Sequence, residues 1–192
     1  MEYLVERLAH ADGGMRASAL NLVSKLDAHI LDRHVSVLFS MLSDNDEKVR
    51  EAVVSTMTHL QPHTLVSNLE PLLKLATDDE NSEVRGTIYS EILDELDVDV
   101  RARSTVTSVL IVGLKDDDAW VRECAVKALG GLAPENLAKH VTDVLPMLKD
   151  EEEDVRIAAV ETLGCLPDAE LGSDSVNENL LCVKSTPKHL PT

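Results

Sequence analysis

Residues 140–166 read HVTDVLPMLKDEEEDVRIAAVETLGCL. Beyond Arg156, apolar side chains fall at three, four, seven and ten residues: Ala159, Val160, Leu163 and Leu166. That spacing is one stripe of a helix. Upstream, Leu137 to Leu148 is also apolar at helical spacing, and Asp150 stands six residues before the arginine in an acidic run. The stretch therefore predicts helix, acidic turn, helix.

The same arrangement recurs along the chain. An apolar residue precedes an arginine at Met15-Arg16, Val49-Arg50, Val84-Arg85, Val121-Arg122 and Val155-Arg156, with arginine spacings of 34, 35, 37 and 34 residues. The stripe repeats as Ala19, Leu20, Val23 and Leu26, as Val53, Val54, Met57 and Leu60, and as Ala125, Val126, Leu129 and Leu132. The third copy has Ile88, Tyr89 and Ile92 but then slips by one, with Glu95 at ten and Leu96 at eleven. First helices are predicted over Leu4 to Leu8, Ile30 to Leu42, Leu65 to Leu75, Val106 to Leu114 and Leu137 to Leu148. Second helices are predicted near 15–26, 49–60, 84–96, 121–132 and 155–166. One such pair cannot bury its stripe alone, so neighbours must stack. The expected fold is all-α: an α-α superhelix of about five helix pairs over residues 1–167.

Asp44, Asp79, Asp116 and Asp150 stand six residues before Arg50, Arg85, Arg122 and Arg156; the first copy has His10 there. The aspartate is expected to cap the second helix. The arginine is expected to reach carboxylates or carbonyls of the adjacent repeat, forming a structural ladder that fixes the stacking register. Gly130-Gly131 and Gly164 fall where glycine helix caps are expected.

The Asp-x5-Arg pair followed by an Ala-rich helix resembles the HEAT repeat of armadillo-type solenoids. Residues 140–166 carry the resemblance best, and 109–132, VLIVGLKDDDAWVRECAVKALGGL, come next. Pro71 matches the family's first-helix proline, and Pro146 lies four residues later in its repeat. The resemblance implies concave second helices, convex first helices and a protein-binding role. Relatives of this kind include a phosphatase scaffold, nuclear import receptors, tubulin-binding modules and condensin subunits.

The chain has 192 residues, 18 basic and 35 acidic, for a net charge of −17. That charge repels phosphate, and only Tyr3, Phe39, Tyr89 and Trp120 are available for base stacking, so nucleic acid is not an expected partner. No apolar run of about 18 residues predicts a membrane span. The N-terminus MEYLVER lacks the basic region of a signal peptide. Cys124, Cys165 and Cys182 are too scattered for a disulfide framework; the first two fall on the apolar pattern and read as buried, reduced thiols. A cytoplasmic or nuclear protein is expected. No histidine spacing, including His29/His34 and His59/His63, places two ligands on one helical face with a third, and no nucleophile or phosphate-loop motif occurs. A metal-dependent enzyme is thus the least favoured reading, and no cofactor is expected.

The turns concentrate acids: Asp44, Asp46 and Glu47; Asp78, Asp79, Glu80 and Glu83; Asp116, Asp117 and Asp118; and 150–154. Stacking would align them into an acidic edge. Capping uses one or two acids per turn and leaves Glu151, Glu152 and Glu153 unexplained. With Asp117 and Asp118 they are candidates for docking a basic segment of a protein partner. Trp120, the single tryptophan, is a candidate anchor. The acids beside it oppose a tubulin-like, acidic partner. Positions one and five after each arginine mark the concave face, giving Glu51, Glu123 and Lys127 as further candidates alongside Ala17, Gly86 and Ile157. The expected function is a non-enzymatic scaffold or adaptor, with a phosphatase-type scaffold or a carrier of basic cargo as alternatives. Residues 168–192 are expected to form a polar tail, with a short helix marked by Val176, Leu180 and Val183 and a candidate phosphosite at Thr186-Pro187.

Overall fold

A computed structural model of the chain describes residues 6–167, so the expected tail helix at Val176, Leu180 and Val183, the Thr186-Pro187 site, and Leu4 and Val5 of the expected first helix lie outside the described residues. Those residues are helical, with no strand among them. The chain divides into two compact units, Met1–Leu96 and Asp97–Thr192.

In the first unit, the second helices are α1 (Gly13–Val23), α4 (Glu47–Met57) and α7 (Ser82–Thr87), the last continued by a π-helical segment, Ile88–Leu93. Helix α1 packs on α4, and α4 packs on α7. The first helices are each in two pieces, α2 (Ala28–Arg33) with α3 (Val35–Met41) and α5 (Pro62–Ser67) with α6 (Leu69–Asp78). The break falls at one residue that leaves helical geometry, His34 at φ −115°, ψ 14° and Asn68 at φ −123°, ψ 25°. The continuous first helices read from apolar spacing are corrected accordingly. The stripe is buried unevenly across the bend: α6 buries Leu69, Leu72 and Ala76, whereas α5 has no fully buried residue.

The second unit holds α8 (Val98–Arg101), α9 (Ser104–Gly113), α10 (Ala119–Gly130), α11 (Pro134–Leu137), α12 (Val141–Val144) and α13 (Glu153–Gly164). Helix α10 packs between α9 and α13. Its last first-helix region is the most broken. His140 (φ −114°, ψ 9°) parts it, and 3₁₀ turns cover Ala138–His140 and Leu145–Lys149. Pro146 sits in the latter, where its missing N–H costs least.

The stripe residues form the core. Leu20, Val53, Val54, Met57, Ile88, Tyr89, Ala125, Val126, Leu129, Ala159 and Leu163 are fully buried, whereas Val160 is half-buried. Each large side chain so removed from water contributes about 1.5–3 kcal/mol before entropy is counted. The slipped third copy has a local cause. The Asp94 amide donates to the Tyr89 carbonyl, five residues back, so the π turn holds one extra residue and Leu96 still reaches the interior. The second helices also begin two residues earlier than the apolar pattern marks and end before the final leucine, which is buried in the following turn at Leu60, Leu132 and Leu166.

Candidate functional site

The turn preceding each second helix is a fixed hydrogen-bonded device. Asp46, Asn81 and Asp118, four residues before the arginine, are the true N-caps; their side chains accept from Lys48 N, Glu83 N and Trp120 N at 2.8–3.0 Å. Asp12 caps α1 by accepting from Met15 N. The cap role expected of Asp44, Asp79, Asp116 and Asp150 is thereby corrected. Those carboxylates instead accept the N–H of the cap residue itself, at 2.9–3.0 Å. In the first copy His10 Nδ1 accepts the equivalent bond from Asp12 N at 3.0 Å, so the imidazole replaces the carboxylate within the turn.

The arginines tie this turn in two directions. Nη1 of Arg16, Arg50, Arg85, Arg122 and Arg156 donates to the carbonyl six residues back in its own repeat, at 2.7–3.0 Å. Within the first unit, Nε of Arg16 donates to Asp44 at 2.8 Å and Nε of Arg50 to Asp79 at 2.7 Å, each with a second bond from Nη2. Within the second unit, Arg122 makes the same fork on Asp150, both bonds at 2.8 Å. Carbonyl contacts are thus to the arginine's own turn and carboxylate contacts to the next one. These paired, planar bonds are the strong kind.

The fork moves proton affinities in the direction its charge requires. The hydrogen bond from Arg122 holds Asp150 below the ordinary carboxylate value, against burial. At Asp44 burial is the largest influence and pushes upward, but the bonds from Arg16 and the Asp46 amide outweigh it. Arg16, Arg50 and Arg122 are raised by their aspartate bonds.

Once these roles are assigned, the acids left facing water are fewer. Glu80 and Glu151 are 90% and 82% exposed at the side chain, 4.0 and 3.7 Å from Arg50 and Arg122. Glu152 is the N-cap of α13 but makes no side-chain cap bond, and Glu153 lies exposed in its first turn with Asp154. Asp118 is occupied as a cap, and Asp117 is exposed with its carbonyl accepting from Arg122.

Trp120 is 37% exposed at the start of α10. On the second-helix face, Glu51 is exposed, while Glu123 accepts from Lys127 Nζ at 2.5 Å, an exposed pair that uses up both charges locally. That bond, above all, raises the Lys127 value. Ile157 is 46% exposed, whereas Gly86, placed on this face from spacing, is buried. Cys165, just past the end of α13 at Gly164, is exposed, which corrects the buried reading; Cys124 is buried.

Gly130 and Gly164 end their helices, and Gly131 is the C-cap of α10 at φ −79°, ψ 0°, outside the left-handed region. No residue described has a positive φ. A Cβ on Gly131 would lie 1.4 Å from Arg101 Nη1, and one on Gly130 would lie 2.8 Å from Thr162 Oγ1. Arg101, buried in the second unit, donates to the Ala128 carbonyl at the end of α10. Sequence spacing missed Arg101 because it falls outside the repeated arginine position. Among the described residues no three His, Cys, Asp or Glu side chains converge as a metal site.

Helix pairs joined by capped acidic turns and an arginine fork define an α-helical repeat solenoid. HEAT repeats match residues 1–93, 69–164 and 107–181, and the chain belongs to that family. No curated protein matches it. Among solved structures, a Kap121p mutant gives a TM-score of 0.75 at 14% identity, covering 98% of this chain and 22% of that one. A designed armadillo repeat protein gives 0.67 at 20%, covering 97% and 93%. Another, in complex with the peptide (KR)4, gives 0.66 at 18%, covering 98% and 92%. At these identities the likeness is one of fold.

Proposed function

We propose that this chain is a non-enzymatic scaffold or carrier that holds a basic segment of a protein partner against its acidic turns. The observation that carries the reading is the division of labour among the turn acids. One carboxylate or imidazole serves each turn and, in every turn but the last, a further side chain caps the helix, yet Glu80, Glu151, Glu152 and Glu153 remain exposed with no structural bond of comparable quality. The acidic balance of −17 adds a long-range attraction for cations. A fold of this kind holds the peptide (KR)4 in one designed armadillo protein. Three scattered cysteines, Cys124, Cys165 and Cys182, suit a reducing compartment, cytosol or nucleus, and no described helix is long and apolar enough to cross a membrane.

The test is affinity capture from source-cell lysate with the unaltered chain and with a chain carrying Glu151→Ser, Glu152→Ser and Glu153→Ser. The reading expects a captured protein with a Lys/Arg-rich segment that the variant loses. Equal capture by both would remove the 151–153 turn from the account.

A further inference from the structure

A groove of about 430 Å3 opens in the first unit, between α3, α6 and the turns that follow them. Its lining is mixed: Phe39, Leu42, Pro71 and Leu75 supply the apolar part, beside Arg50, Lys74 and four acids. Phe39 and Leu75 are half-buried and Pro71 is exposed. Two of its acids, Asp44 and Asp79, are consumed by Arg16 and Arg50. The other two, Asp78 and Glu80, are exposed on the rim, opposed by Lys74.

This combination is selective. Helix capping accounts for neither the apolar walls nor Asp78 and Glu80. A divalent cation is disfavoured, because the inner carboxylates already hold guanidinium groups. An anionic ligand would meet the rim acids. The volume lies toward the small end of ligand pockets, about 300–1,000 Å3, so it admits one or two long side chains rather than a helix. A side chain with a methylene stem and a terminal cation fits both parts, the stem on Phe39 and Leu75 and the charge at Asp78 and Glu80.

We propose that this groove seats a lysine or arginine side chain from the basic segment of the partner. The inference rests on the proposed function and adds where the anchor goes: on the first-helix side of the first unit, not on its second-helix face.

The experiment titrates a fluorescent eight-residue alternating Lys-Arg peptide, followed by anisotropy, at about 0.15 M salt. Three chains are compared: unaltered, Asp78→Asn with Glu80→Gln, and Glu51→Gln with Glu123→Gln. All these side chains are at least partly exposed, and matching thermal midpoints will show that any loss is of binding. The groove pair is expected to weaken binding at least about fivefold and the second-helix pair by less than about twofold. An octapeptide of 2,4-diaminobutyrate, compared with octalysine, keeps the charge but loses two methylenes from every side chain, and is expected to bind the unaltered chain at least about fivefold more weakly. Loss on the second-helix variant with none on the groove variant would overturn the groove and leave the proposed function standing. Equal affinity for the short-stem peptide would also overturn it. Failure of the unaltered chain to bind the peptide would overturn the proposed function and the groove with it.

Discussion

Arg122 donates four hydrogen bonds, two to Asp150 and two to carbonyls of its own turn, while the bonds of Arg156 among the described residues go to the backbone oxygens of Asp150 and Glu151. Arg122→Ala is therefore expected to lower stability by about 1–3 kcal/mol, and Arg156→Ala by less, read as shifts in the urea midpoint. Equal shifts would mean that the carboxylate half of the fork adds nothing. The same rung sets a pH dependence. Asp150 is depressed in the fold, so its contribution is fully present above the unfolded value of about 3.9 and is lost as pH falls toward the lower folded one. The stability gap between the unaltered chain and Asp150→Asn is expected to be constant from neutral pH down to about 4 and to shrink below it. A gap that persists into strong acid would contradict the assignment. The position of the fork's partners was legible in the Asp-x5-Arg spacing. What spacing could not show was that His10 takes over the carboxylate's bond within the turn, since that depends on where a ring nitrogen lies.

The elements were readable where burial alone dictates them and unreadable where two side chains compete for one space. Leu20, Met57 and Leu129 mark their helices because a stripe must face inward. Gly131 is the C-cap of α10 as its place suggested, but with no positive φ its need for glycine comes from the approach of Arg101 from α8. Gly131→Ala is expected to destabilise by about 1–3 kcal/mol through overpacking. Gly164→Ala, whose Cβ would meet nothing within 4 Å, is expected to be neutral or to stabilise by up to about 1 kcal/mol. Thermal melts of the two variants check this; a harmless Gly131→Ala would remove the Arg101 contact from the account. The slip at Leu96 was visible in sequence, but its accommodation as a π turn was not, because an insertion can equally be looped out. Deleting exposed Glu95 restores the ten-residue spacing and is expected to leave a folded chain that melts near the unaltered one. Deleting Thr58, in a copy with no extra residue, is expected to abolish cooperative melting. The reverse ranking by circular dichroism would contradict the insertion account.

At the scale of the molecule, each unit spends part of its acidity on holding its own turns and leaves the rest to solvent. The fold class, the spacing of the second helices and the turn acids were legible because periodicity and charge are properties of composition and order. The groove beside Phe39 and Leu75 was not, because it needs the bend at Asn68 and the relative placement of α3 and α6 within the first unit. The central claim is that the acids left over bind cationic protein segments. Isothermal titration of the full chain with an alternating Lys-Arg octapeptide, from about 0.05 to 0.5 M salt, tests it directly. The account predicts saturable binding whose Kd rises more than about tenfold across that range, with no binding of a Ser-Gly octapeptide. Absence of binding at the lowest salt, or a Kd indifferent to salt, would contradict it.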